Sequence, residues 1–482
     1  MAEGTGSARR ARSGPVACDL VVEHALVLAL DDAGTIVADG AVAVVGDRIA
    51  ALGPSPEIER GFRGRETIDA RGGILLPGLV NVHNHTPLMI TRGMVEDLGH
   101  APAYTPGIPQ GPALGFEEVL ALARLGVYEL LRAGSTTVVD YYLHPKALAE
   151  ALVEIGLRGV VGGRILDVDM TAVARGGERR HVPAIGRATL DEALDLAAAY
   201  GDHPSGRIRC DLAPHAPDTC SAALLKEVRD LAEETEGAVH THLAQSRDEV
   251  EWVRARDGVS PAELLDRCGL LGKRLVAAHC IFLDPPDVAR AGASGLTVAH
   301  APIGNLRAGD VAPVLALEAA GARIALCTDT MSADLFEAMR TAIAAARIRA
   351  GGAGSIAATG LDARKALHWA TRTGAAALGL GDLVGSIEVG KKADLVLLDA
   401  TAPSLAPVVD GYGIVVHSGS GHDVDTVIVD GRVRLRAGRP VGFDGDRIVA
   451  EAQAVADRQW RRHGTRPVAA PSSGDARTPS GP

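Results

Sequence analysis

The chain has 482 residues, 47% of them hydrophobic, and carries 60 Asp and Glu against 49 Lys and Arg for a net charge of −11. That length supports one large α/β domain with a smaller partner. The acidic surplus leaves no electrostatic footprint for nucleic acid or an anionic membrane, so a small-molecule ligand is expected. Six cysteines (Cys18, Cys210, Cys220, Cys268, Cys280 and Cys327) show no CxxC spacing, and no apolar run reaches membrane-spanning length. Free thiols, a cytoplasmic location and assembly as a homo-oligomer are the expectations.

Residues 1–17 open with "MAEGTGSARRARSGP", rich in Gly, Ser and Ala, and read as a disordered tail. From 18 to 77, "DLVVEHALVLAL" and "GAVAVVGDRIAALG" alternate apolar and polar residues around Asp-Gly and Gly-Asp turns, the pattern of antiparallel hairpins. Residues 78–385 then repeat one unit: a short apolar run with a polar end, followed by a longer helical stretch. The eight runs are "PGLVNVHNH", "STTVVDYY", "RGVVGGRILD", "RIRCDLAPH", "GAVHTHLAQ", "RLVAAHC", "GLTVAHAP" and "RIALCTD". Eight alternating strand and helix units predict a (β/α)8 TIM barrel. Residues 386–450 ("SIEVGKKADLVLLD", "DTVIVDGRVRL") return to hairpin patterning and are expected to pair with 18–77 in one small β-sandwich. Residues 461–482 read as a second disordered tail.

In such a barrel the chemistry collects where strands end at their C-terminal rim. Those ends carry His83, His85, Asp140, Asp167, His215, His240, His242, His279, His300 and Asp329. "NVHNH" sets His83 and His85 two apart, so both point the same way. An HxH pair alone is a weak signal, since such pairs also occur in cores and on surfaces. His242, His279 and Asp329 end three later strands, and imidazoles with a carboxylate form the ligand set of a catalytic zinc or iron.

"LVNVHNHTPLMITRGMVEDL", "APHAPDTCS", "HTHLAQSRDEV", "AAHC", "AHAPIGNL", "CTDT" and "VGSIEVGKKADLVLLD" together resemble, in order, the amidohydrolase superfamily. The likeness runs over residues 20 to 440 and is to the branch of S-adenosylhomocysteine, methylthioadenosine and guanine deaminases and of triazine hydrolases such as atrazine chlorohydrolase. It implies that His83, His85, His242 and Asp329 bind one divalent metal, zinc with iron as the alternative. It implies that His279 contacts the activated water or the substrate, that His215 hydrogen-bonds the heterocycle, and that Asn305 borders the pocket. His215 stands where binuclear relatives carry a bridging lysine, so one metal is expected. The implied reaction is hydrolytic deamination of a planar nitrogen heterocycle, a C–N bond other than a peptide bond, with Asp329 taking the proton of the attacking water.

The resemblance breaks at Gln245, where the deaminases have a proton-shuttling glutamate. An amide has no proton to relay near neutral pH. Ser246 and Glu249 have the form of a helix capping box, which gives Glu249 a structural reading, with Asp248 beside it. Three readings stand: deamination with the proton returned through His279 or a water, hydrolytic dehalogenation that needs no proton, and a catalytically altered metal-binding scaffold. His240 is expected to sit behind the site or in the core. "GHAPAYTPGIPQG" replaces the relatives' segment that leads to a ribose-binding acid, and reads as a lid in which Tyr104 or His100 stacks on a ring. Arg92 and Arg164 are candidates for an anionic substituent or for structural salt bridges.

Overall fold

A computed structural model describes residues 14–96, 107–109, 111–235, 237–330, 332–352 and 359–464. Tyr104, His100 and most of the expected lid lie outside the described residues, as do residues 1–13 and 465–482 of the two expected tails.

All eight expected strands form, and every ladder among them is parallel. Leu79–Asn81, Ser135–Tyr142 and Arg158–Ile165 form one sheet with the short pair Ile208–Cys210 and Ala213–Pro214. Val239–Leu243, Leu275–His279, Thr297–His300 and Arg323–Leu326 form a second. Both faces of these strands are covered, which is why they lack the apolar–polar alternation of a half-exposed strand: Ser135–Tyr142 and Arg158–Ile165 are buried at every residue. Gly163 lets a helix lie against the sheet, since a Cβ there would stand 2.8 Å from that of Ala193 in helix Pro183–Tyr200.

The two sheets touch along both sides. On one, Leu212 bridges Val239, the His240 amide donates to the Leu212 carbonyl at 2.9 Å, and the His242 amide donates to His215 at 2.9 Å. On the other, Asn84 bridges Asp329, and the Val82 and Asp329 amides donate to Leu326 at 3.3 Å and His83 at 3.2 Å. Asn81 strengthens this second side: its Nδ2 donates to Thr328 Oγ1 at 2.7 Å while its Oδ1 accepts from the Thr328 amide at 3.2 Å.

The flanks join in one nine-stranded sheet, as their shared patterning predicts; the link is Leu395–Leu398 antiparallel to Ile74–Pro77. The sheet is mixed where the sequence reading has antiparallel hairpins only. Val16–Leu28 pairs parallel with Phe62–Asp69, because helix Ser55–Gly61 supplies the crossover that a parallel pair requires. A second difference is the 18-residue helix Gly445–Arg462, which crosses the expected boundary at 450 and takes in the start of the expected tail at 461. It is capped by Asp444 and docked by Trp460, whose Nε1 donates to the Ile90 carbonyl at 2.7 Å. No helix among the described residues is long and apolar enough to cross a membrane.

Arg158, on the third parallel strand, is 3% exposed and donates to Asp394 at 3.2 Å and to Asp430 at 2.5 Å, fastening the flank sheet beneath the parallel strands. A buried ion pair adds little against an apolar replacement, but cutting one partner strands the other charge. Arg158→Ala should therefore lower stability by about 3–5 kcal/mol, read as a shifted urea midpoint, and a loss below about 1 kcal/mol would refute the latch.

Candidate metal centre

His83 and His85 follow the first parallel strand, His242 sits in the fifth, His279 ends the sixth and Asp329 follows the eighth. The fold draws them into one buried cluster. The ligand nitrogens of His83, His85 and His242 lie within 4.8 Å of one another, as do the ligand atoms of His83, His279 and Asp329. Asp329 Oδ1 stands 3.6 Å from His83 Nε2 and 3.9 Å from His85 Nε2, and its Oδ2 stands 3.9 Å from His279 Nε2.

The hydrogen bonds behind the cluster fix which nitrogens face it. His85 Nδ1 donates to the Tyr141 carbonyl at 2.7 Å, and His242 Nδ1 donates to the His215 carbonyl at 2.6 Å. A neutral imidazole carries one proton, so the two Nε2 atoms hold lone pairs. Those atoms face each other at 3.1 Å. Two lone pairs at that distance repel unless a cation lies between them, and His83 Nε2 is likewise buried without a hydrogen-bond partner among the described residues. The donor set fits a divalent metal held by imidazole and carboxylate.

The electrostatics agree. Burial, then the charge of His83, pushes His85 down to about 3, and burial with the neighbouring histidines pushes His242 well below its usual range. Both are therefore neutral, as a ligand must be. Burial acts to raise Asp329, but the adjacent His83 imidazole, with His279 and His85, outweighs it and holds the carboxyl below the usual carboxylate range. His279 (φ 72°) and Asp329 (φ 56°) both occupy the left-handed region, a cost that persists at sites where surrounding structure imposes it.

His279 is fixed by Asn305: its Nδ1 donates to Asn305 Oδ1 at 3.1 Å, which leaves Nε2 toward Asp329 and the Asn305 amide nitrogen without a partner among the described residues. Asn305 thus touches the buried cluster itself, beyond the bordering position expected of it. Both nitrogens of His215 are engaged, Nδ1 with Thr219 Oγ1 at 2.8 Å and Nε2 accepting from the Arg164 guanidinium. Arg164 lies 5.5 Å from the Tyr142 ring centroid, makes no ion pair among the described residues, and keeps a buried Nε without a partner. It forms one wall of a cavity of about 680 Å³ whose other walls include Leu143, Leu166, Val168, Met170 and Ile185. Arg92, by contrast, pairs with Glu129, the structural salt bridge among its two expected roles.

Besides His215, four of the ten strand-end residues stay out of the cluster. Asp140 turns away to accept from the Thr86 amide at 3.2 Å and from the Thr86 hydroxyl, and burial pushes its carboxyl up to about 7. Asp167 accepts from His181 and Ser221, each at 2.5 Å. His240 pairs with Asp211 Oδ2 at 3.0 Å behind the site. His300 is 1% exposed, and neither ring nitrogen has a partner among the described residues. Sequence reasoning missed Tyr141 and Thr219, since Tyr141 acts mainly through a backbone carbonyl and Thr219 through an interior hydroxyl.

Near Gln245 the capping box is only half formed. Ser246 Oγ accepts from the Glu249 amide at 3.0 Å, but the Glu249 carboxylate bypasses the Ser246 amide and accepts from those of Ala244 and Gln245, each at 2.8 Å. Gln245 Nε2 is buried and has no partner among the described residues.

A model of the amidohydrolase family matches residues 74–434. The 5-methylthioadenosine/S-adenosylhomocysteine deaminase of Pelotomaculum thermopropionicum is 33% identical over 450 residues, 92% of this chain and 99% of that protein. The 5'-deoxyadenosine deaminase of Methanosarcina acetivorans is 31% identical over 446 residues, covering 91% and 98%. An adenosine deaminase from Xanthomonas campestris, solved with bound zinc, superposes with a TM-score of 0.81 at 31% identity over 92% of this chain and 99% of that one.

Buried His300 supplies a test of the electrostatics away from the ligands. Burial, then His279, lowers it from 6.5 to about 3. The unfolded chain takes up that proton near 6.5 and the folded chain does not, so the contribution to stability is present above 6.5 and is lost as pH falls toward 3. In His300→Leu the loss of stability between pH 6.5 and 5 should be smaller than in the parent by about 2 kcal/mol. An equal loss of stability in parent and variant between the two pH values, read from urea unfolding, would contradict this.

Proposed function

The chain belongs to the amidohydrolase family, and on that premise we propose that the His83–His85–His242–Asp329 cluster is the mononuclear zinc centre of a hydrolytic deaminase, with iron as the alternative metal. The substrate is a planar, adenosine-like nitrogen heterocycle. The observation that carries the reading is the pair of imidazole lone pairs opposed at 3.1 Å, with their tautomers fixed by the carbonyls of Tyr141 and His215. The shared length with deaminases of such nucleosides supports the choice of substrate class. Held by His83, His85, His242 and Asp329, a divalent ion would supply a water acidified to near neutral pH and hence nucleophilic.

The chain's own residues do the rest. Asp329 is held ionised and takes the proton of that water at a carboxylate oxygen. Asn305 holds His279 with Nε2 unprotonated and facing Asp329 Oδ2, so the pair can pass the proton on to the departing amine. Gln245 Nε2 can donate a hydrogen bond to an acceptor nitrogen of the ring but cannot protonate it. Arg164, steadied by His215 and the Tyr142 ring, has its free Nε for substrate, and the adjoining cavity takes the substituent carried by the ring.

The architecture belongs to the same proposal: a closed (β/α)8 barrel over 78–385, supported by backbone bonds on both sides of the two parallel sheets, and a flanking sandwich from 18–77 and 386–450. The bulges of Val16–Leu28 support the sandwich, since they let one long strand serve two layers. A cytoplasmic homo-oligomer completes the reading.

Zinc-loaded protein should release ammonia from 5'-deoxyadenosine or 5'-methylthioadenosine. Release of chloride from chlorotriazines with no ammonia from any purine would replace deamination by dehalogenation. His83→Ala and Asp329→Ala should each reduce bound metal from about one per chain to a small fraction and abolish turnover. Full metal occupancy in either variant would remove it from the ligand set.

A further inference from the structure

Glu249 is the buried acid nearest the departure at Gln245. It is fully enclosed, and its two carboxylate oxygens accept the backbone amides of Ala244 and Gln245, each at 2.8 Å. A carboxylate that spans two successive amides fixes the peptide plane between them. The turn so fixed is a strained one: Ala244 sits at φ 49°, a conformation that costs a residue with a Cβ about 1–2 kcal/mol and needs outside support. The other side of the turn is held as well, because the Ala244 carbonyl accepts the amides of Ile281 at 3.2 Å and Phe282 at 3.0 Å from the loop that follows His279. The Gln245 amide that issues from this turn is buried with no partner for its Nε2 among the described residues.

We propose that Glu249 is a positioning residue for the deamination reaction, which clamps the Ala244–Gln245 turn so that Gln245 Nε2 points at the substrate ring. The proposal rests on the deaminase reading above. Glu249 does not itself touch the substrate, since both of its oxygens are occupied by the turn and its side chain is enclosed. Burial, then the charge of Asp218, pushes its carboxyl up, against the two amides and Arg179. So costly a group is retained in the interior only where its hydrogen bonds carry weight.

A double-mutant cycle separates positioning from general support. Glu249→Gln keeps the shape and sets an amide nitrogen against one backbone N–H. Alone it should lower kcat/KM by about tenfold with metal content unchanged, and Gln245→Ala alone should lower it at least as much. If Glu249 acts through Gln245, adding Glu249→Gln to Gln245→Ala costs less than twofold more. Independent, multiplying losses would overturn the proposal, as would a Gln245→Ala variant with full activity. Should Glu249→Gln fail to fold, Glu249→Asp keeps the charge but draws the carboxylate back from the two amides, and its loss should likewise vanish in the Gln245→Ala background. The same cycle read by calorimetry on the binding of adenine to zinc-loaded protein needs no turnover. Absence of ammonia release would therefore sink the deaminase reading alone, whereas additive binding losses would sink the role of Glu249.

Discussion

Everything at the site depends on two carbonyl groups. The Tyr141 and His215 carbonyls each take an Nδ1 proton, and that choice of tautomer turns the Nε2 lone pairs of His85 and His242 toward one point. With the tautomers reversed, the same rings would present N–H groups to each other and offer nothing to a cation. The strands that supply these carbonyls have other work as well, because the His215 carbonyl also accepts the His242 amide and so stitches the fourth strand to the fifth. Ligand orientation and sheet pairing are a single set of bonds.

That economy explains what the sequence made legible. Strand ends in an alternating series converge, so the spacing of His83, His85, His242, His279 and Asp329 was enough to predict their meeting. Which way a residue at a strand end turns was not legible. His279 follows Ala278, which packs among the interior side chains with Ala299 and Cys327, and a regular strand would send His279 to the other face. Its left-handed φ redirects it to the rim, while His300, with no such departure, stays behind Ala299 and Ala301. Composition and period do not encode a single φ reversal at a residue with a Cβ. Asp140 and Asp167 were misplaced for a related reason: the hydroxyls and amides that bind them belong to segments distant in sequence.

The flanks show the opposite balance. Their pairing with each other was readable from shared alternation, but the parallel crossover through helix Ser55–Gly61 was not, because "PSPEIERG" is short and its helical character is set by a proline at the first turn. The C-terminal helix was lost among tail-like composition, although Gly445–Arg462 places Ile448, Ala452, Val455, Gln459 and Trp460 on one buried face at helical spacing.

Gln245 changes what the site must do, because the surrounding groups cannot simply exchange roles with a missing glutamate. Glu249 lies four residues away but is enclosed and holds two amides, so moving it to the mouth would release a strained turn and leave both amides unpaired. Asp248 is exposed and pairs with Arg179. In the proposed deamination the proton that leaves with the amine is therefore assigned to Asp329 and His279. Those two groups face each other, and Asn305 fixes the imidazole with its basic nitrogen toward the carboxylate. In the proposed reaction, proton transfer and substrate grip fall to different groups: acid–base chemistry to Asp329 and His279, and hydrogen-bond donation to Gln245, whose amide cannot ionise. On the proposed reading, such a site favours a ring whose acceptor nitrogen faces Gln245 unprotonated, and the turn beneath Gln245, which follows His242 closely in the chain, bears on the reaction through that one amide.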